Sequence, residues 1–127
     1  KLKKDYDFLV IDFHGEITSE KNAIGNFFDG KASLVVGTHT HIPTNDARIL
    51  ESGTAYQTDA GMCGDYNSVI GMNKENSLNR FMKKDSVKHF PAEGEGTLCG
   101  LIVECNISTG LAEKVETYIF GSGLKNF

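Results

Sequence analysis

No stretch of this 127-residue chain is apolar over the roughly 18 residues that a membrane-crossing helix needs, so no helical span is expected. Positive charge is not in surplus: 13 Lys and Arg stand against 17 Asp and Glu, a formal net charge of −4. Duplex nucleic acid, held by basic side chains on phosphates, is therefore not an expected partner. Short nucleotides stay open, because bound cations can supply the missing charge. Cysteine is scarce. Cys63, Cys99 and Cys105 are odd in number and lack C-x-x-C spacing, which argues against a disulfide framework and for reduced, buried thiols in a cytoplasmic protein. The basic start Lys1-Leu2-Lys3-Lys4 leads into Asp5-Tyr6-Asp7 and not into a small-residue cleavage site, so it does not read as a signal peptide. There is no internal repeat, linker or low-complexity tract. An opening Met is also missing, and the charged start runs within a few residues into an apolar strand. That start reads as the middle of a domain, so the chain is expected to be a fragment or one segment of a longer polypeptide.

What is present is ordinary for a globular domain, with 39% apolar and 24% charged residues. Phe8-Leu9-Val10-Ile11 predicts a strand covered on both faces, followed by the polar group Asp12-Phe13-His14-Gly15-Glu16. Thr18-Ser19-Glu20-Lys21 predicts a helix start with a hydroxyl cap, and Ala23, Ile24, Phe27 and Phe28 an apolar helix face ending at Asp29-Gly30. Ala32 to Val36 predicts a second strand, closed by Gly37-Thr38-His39-Thr40-His41. Strands are predicted at 47–50 and 54–58 around a turn at Glu51-Ser52-Gly53, and a short helix over 73–82 with Leu78, Phe81 and Met82 on one side. The polar stretch 83–96 reads as an exposed connection, and 98–107 with 111–120 as a hairpin around Ser108-Thr109-Gly110. The fold class is α/β.

Both predicted α/β strands end in histidine, and ligands gather at the C-terminal ends of strands in layered α/β sheets. In an extended segment His39 and His41, two residues apart, would point the same way and could face one cation or two adjacent ones. His14, delivered by the neighbouring strand, is a candidate third ligand. Asp12 and Glu16 are close enough to orient an imidazole by hydrogen bonding. His89 has no partner in sequence and is expected in solvent. Three imidazoles can hold one zinc with an open position, whereas two metals need further ligands that this chain does not offer near these histidines.

The sequence resembles the YmdB-like metallophosphoesterases, described as 2′,3′-cyclic-nucleotide 2′-phosphodiesterases. The likeness is carried by 12–21 (DFHGEITSEK), 35–41 (VVGTHTH), 54–62 (TAYQTDAGM) and 68–72 (SVIGM). It implies a layered α/β/β/α sandwich of the calcineurin-like type, here an incomplete part of it, with a dinuclear centre of divalent Fe, Mn or Zn. It also implies that His14 and His39 bind one metal and His41 the other, and that residues 1–127 are the C-terminal portion of a single domain. The family's Asp, Glu and Asn ligands and its proton-donating histidine would lie upstream, since no G-D-x-x-G or G-N-H segment occurs here. The implied activity is hydrolysis of small phosphodiesters, cyclic nucleotides among them, by a metal-bridging hydroxide, in a protein that tends to self-associate. Gly15 stands where the family tends to have Ala. Two other readings remain: a CapA-type metallophosphatase-like protein, which shares a G-x-H-x-H ending after a buried strand, and a non-catalytic metal-binding or assembly module.

Overall fold

The computed structural model describes residues 5–82 and 88–124. In chain order the elements are β1 (Val10–His14), α1 (Thr18–Phe27), β2 (Leu34–Thr38), β3 (Arg48–Ile49), β4 (Ala55–Gln57), α2 (Lys74–Phe81), β5 (Leu98–Cys105) and β6 (Ala112–Phe120). The chain is mixed α/β, and among the described residues no helix is long and apolar enough to cross a membrane. It divides into two compact units, Lys1–Gly61 with Gly100–Tyr118, and Met62–Cys99 with Ile119–Phe127.

The first unit is built on a four-stranded sheet in the order β1-β2-β4-β3. Parallel pairing joins β1 to β2 and β2 to β4, and β3 runs antiparallel to β4. The β1–α1–β2 segment is the crossover that parallel neighbours require. Ala32, Val35 and Tyr56 form the buried centre, with Leu9, Ile11, Ile24, Phe28 and Leu50 packed around it. Burying a side chain such as Val35 contributes about 1.5–3 kcal/mol. Two glycines set the spacing. A Cβ on Gly25 would fall 2.5 Å from the Tyr56 ring, and one on Gly37 would fall 1.8 Å from the Thr58 carbonyl oxygen. Helix α1 and the end of β4 therefore approach their neighbours backbone-first.

Three expectations need correction here. Strand β1 is not covered on both faces: Val10 is 62% exposed, because it points to the face opposite Ile11 and the preceding Leu9, which pack against the core. The N-cap of α1 is Ile17, with no side-chain cap, so neither Thr18 nor Ser19 caps it. Its covered side carries Lys21 and Gly25, flanked by Ile24 and Phe28, whereas Ala23 is exposed and Phe27 lies outside with the Lys31 ammonium 4.3 Å over its ring. The apolar periodicity misplaced the face because a lysine and a glycine occupy its centre.

In the second unit α2 is capped by Asn73, whose side chain accepts from the Asn76 amide at 3.0 Å. Its buried residues are Asn76 and Ser77; Leu78, Phe81 and Met82, predicted to face inward, are exposed. His89 is exposed, but its Nδ1 lies 3.2 Å from Asn76 Oδ1. The Tyr66 hydroxyl donates to the Met62 carbonyl, accepts the Met62 amide, and lies 3.2 Å from Cys99 Sγ. All three cysteines are free thiols, but Cys63 is exposed, against the expectation that each is buried. Part of the predicted connection at 83–96, residues 83–87, lies outside the described residues; 88–96 is mostly exposed. Strands β5 and β6, most of whose residues belong to the first unit, form the expected two-stranded sheet, with Gly110 at φ 73 in the turn before β6.

Candidate metal centre

Strand periodicity puts Asp12 and His14 on the same face of β1, and both are exposed. The parallel register places Thr38 directly beside His14. From that placement a hydrogen-bonded relay follows. Thr38 Oγ1 donates to Asp12 Oδ1 at 2.8 Å and lies 3.0 Å from His14 Nδ1. A hydroxyl has one proton, here given to the carboxylate, so its lone pair receives the Nδ1–H of His14. That tautomer makes His14 Nε2 an acceptor, and it receives the Nδ1–H of His39 at 3.3 Å. The two rings meet edge to face, with centroids 5.1 Å apart and planes at 79°.

Asp12 therefore acts on His14 through Thr38 and not by direct contact. Glu16 is exposed and has no side-chain hydrogen bond or ion pair among the described residues. His41 is half-buried in the same loop as His39. The expectation that 39–41 is extended is corrected: β2 stops at Thr38, and His39 and His41 take φ values of 132 and 65. Non-glycine residues held there cost on the order of 1–3 kcal/mol each and persist only where the surroundings impose them.

Beside this loop lies a buried ion pair, bonded to the amide of Thr40 between the two histidines. Asp59, two residues beyond β4, is 0% exposed, and Lys21 of α1 is 1% exposed; their charged ends meet at 2.7 Å. Asp59 Oδ2 also accepts the Thr40 amide at 2.9 Å, and Oδ1 accepts the Gly61 amide at 2.9 Å. Burial pushes the Asp59 pKa up, but the Lys21 ammonium and the Thr40 and Gly61 amides outweigh it, holding the carboxyl below the ordinary 3.8. The backbone of Asp59 is locked in turn, its amide donating to Thr44 Oγ1 and its carbonyl accepting the Thr44 amide. Sequence reading missed Lys21, Thr38 and Asp59 as site residues. Asp59 had a usable signal, since it follows a parallel strand at the same sheet end as His14 and His39. Lys21 had none, because a lysine in the first turns of a helix normally lies in solvent.

Two imidazole nitrogens bound to one tetrahedral ion at about 2.0–2.1 Å would stand about 3.3–3.4 Å apart, so the His14–His39 spacing matches one edge of such an ion once the His39 proton moves from Nδ1 to Nε2. Among the described residues no group of three or more His, Cys, Asp or Glu side chains is placed to hold a metal ion. The pair is thus an edge needing further donors.

Several known proteins resemble the chain. A 2′,3′-cyclic-nucleotide 2′-phosphodiesterase of Bacillus subtilis is 49% identical over 109 residues, covering 86% of this chain and 41% of that protein. A putative phosphatase/phosphodiesterase of Mycoplasma pneumoniae is 45% identical over 117 residues, 91% of this chain and 41% of the relative. The crystal structure of a novel phosphatase from Mycoplasma pneumoniae superposes with a TM-score of 0.85 at 41% identity, over 94% of this chain and 43% of that one. A hypothetical protein from Thermus thermophilus gives 0.84 at 37% identity, over 93% and 46%. The chain spans about two-fifths of the length of the curated relatives it matches. Residues 1–118 match the model of the YmdB-like proteins, and with this agreement the chain belongs to that family.

Proposed function

We propose that this chain carries the histidine-bearing part of a metal-dependent phosphodiesterase that hydrolyses small phosphodiesters, with 2′,3′-cyclic nucleotides as the substrate class. The observation that carries this reading is the 3.3 Å approach of His14 Nε2 to His39 Nδ1 at the ends of neighbouring parallel strands. The phosphodiesterase and phosphatase names of the relatives support it. In this reading His14 and His39 hold one divalent ion of Fe, Mn or Zn, and His41 holds a second; imidazole suits all three metals. Bound, the ions would supply Lewis acidity toward a phosphoryl oxygen and an acidified water. The side chains of this chain fix the ions and do not act as nucleophile: the Asp12–Thr38 relay keeps the His14 Nε2 lone pair available, and the Lys21–Asp59 pair steadies the loop of His39. The remaining ligands and the group that protonates the leaving oxygen come from the N-terminal portion of the longer polypeptide, which completes a layered α/β/β/α sandwich. We place the protein in the cytoplasm, as a homo-oligomer acting on free small substrates.

The test is turnover of bis-p-nitrophenyl phosphate and of 2′,3′-cyclic AMP by the full-length protein carrying His39→Ala or His41→Ala. Removing a group behind a ligand already costs about 10–100-fold, so removing a ligand is expected to lower kcat by more than that, with the circular dichroism spectrum unchanged. Wild-type turnover in both variants would refute the reading.

A further inference from the structure

We propose that the buried Lys21–Asp59 pair is a positioning device for the His39–Thr40–His41 segment, and that His39 meets His14 only because this pair holds Thr40. A buried ion pair is weak evidence for a stability role, since a well-packed apolar pair of similar size serves a core as well or better. Its geometry here is specific to the loop. Asp59 Oδ2 is shared between the Lys21 ammonium at 2.7 Å and the Thr40 amide at 2.9 Å. The Thr40 amide is the one backbone donor between the two residues of positive φ, His39 and His41. The second oxygen takes the Gly61 amide, and the Asp59 backbone is tied on both sides to Thr44, so the carboxylate is a fixed point to which the loop is pinned.

The lysine stem is part of the same device. A Cβ on Gly37 would lie 2.9 Å from Lys21 Cδ, so the stem passes directly against the end of β2, one residue before Thr38. Charge on Lys21 keeps Asp59 ionised, and an ionised carboxylate offers enough lone pairs for one ammonium and two amides at once. Both side chains are buried and neither is hydrogen-bonded to His14 or His39, so both are positioning residues. The inference rests on the metal reading of His39 only for its second readout below.

The experiment uses the full-length protein with Lys21→Met/Asp59→Ala, which removes both charges together, and with Lys21→Met/Asp59→Asn, which nearly preserves shape and keeps an acceptor for one amide only. Val35→Ala is the control: it loosens the core of the same unit without touching the loop. Without any metal, NMR reads the cross-peak between the His14 and His39 rings and the hydrogen exchange of the Thr40 amide. Both double variants are expected to lose the cross-peak. In the first, Thr40 exchange should accelerate about tenfold or more relative to the amides of β2, while Val35→Ala keeps both signals even at equal loss of Tm. Calorimetric titration with Mn²⁺ alone is expected to show affinity about tenfold weaker in the double variants. Retention of the ring contact and of Thr40 protection in the double variants overturns the proposal. Absence of Mn²⁺ uptake by the wild type would overturn the metal reading instead, and the ring contact would still decide the positioning role.

Discussion

His14 and His39 reach the same point from opposite kinds of backbone. His14 is the last residue of a regular strand, so its direction follows from strand alternation, and an exposed relay through Thr38 to Asp12 only selects its tautomer. His39 sits one residue beyond its strand, at positive φ, where nothing local favours it, and a fully buried ion pair pins the following amide. The difference is instructive. A side chain carried by regular structure needs little support, whereas one carried by a strained loop needs a tertiary anchor, and that anchor is where the molecule is most vulnerable.

The largest expected effect breaks the comparison on the His39 side. Lys21→Met alone leaves the Asp59 carboxylate buried without its cation and should cost about 3–5 kcal/mol in denaturant unfolding. Adding Asp59→Ala should recover part of that loss, because it removes the unpaired buried charge but leaves the Thr40 and Gly61 amides without their acceptor. If the single variant is as stable as the wild type, Asp59 is not dependent on Lys21 and the anchor has been misread.

On the His14 side the expected effect is smaller. Thr38→Val removes the hydroxyl of an exposed relay and should lower stability by only about 0.5–1.5 kcal/mol. It should let the His14 ring sample both tautomers, seen as averaged ring nitrogen shifts in NMR. A stability loss as large as that of Lys21→Met would erase the distinction between the two strand ends.

Acid should separate them most gently. Asp59 and Asp46 both have folded-state pKa values below 3.8: for each, burial raises the value, but hydrogen bonds outweigh it, to Asp59 from Lys21, Thr40 and Gly61, and to Asp46 from Thr44, Thr58 and Arg48. Depressed carboxyls bind protons more weakly folded than unfolded, so their stabilisation is complete above 3.8 and is lost as pH falls through the lower folded values. Thr40 amide protection, followed by hydrogen exchange, should therefore fade in that window before protection in the β1–β2 ladder does. Simultaneous loss of both would show that the loop has no separate anchor.

Much of the architecture was legible because its signals are local. The apolar runs near 8–11 and 32–36 located β1 and β2 to within about two residues, the glycine turns at 53 and 110 marked both hairpins, and the α/β order put the histidines at one sheet end. Helix faces were misjudged where periodicity counts only apolar residues. Lys21 and Gly25 lie inward because Gly25 lets α1 settle onto Tyr56 and the lysine finds a carboxylate, and neither event is written in α1 itself. The candidate site was likewise half visible. His14, His39 and His41 stood out by type and place, whereas Thr38 became meaningful only through its register with His14, and Asp59 only through its bond to Thr40.

By itself the order of residues determined which groups arrive at the sheet end, because strand length and the period of two are properties of a short segment. Whether two imidazoles that arrive there actually meet was decided by the fold as a whole. That meeting depends on a lysine 18 residues before His39 and an aspartate 20 residues after it, brought within hydrogen-bond reach of each other only once α1, β2 and β4 have packed.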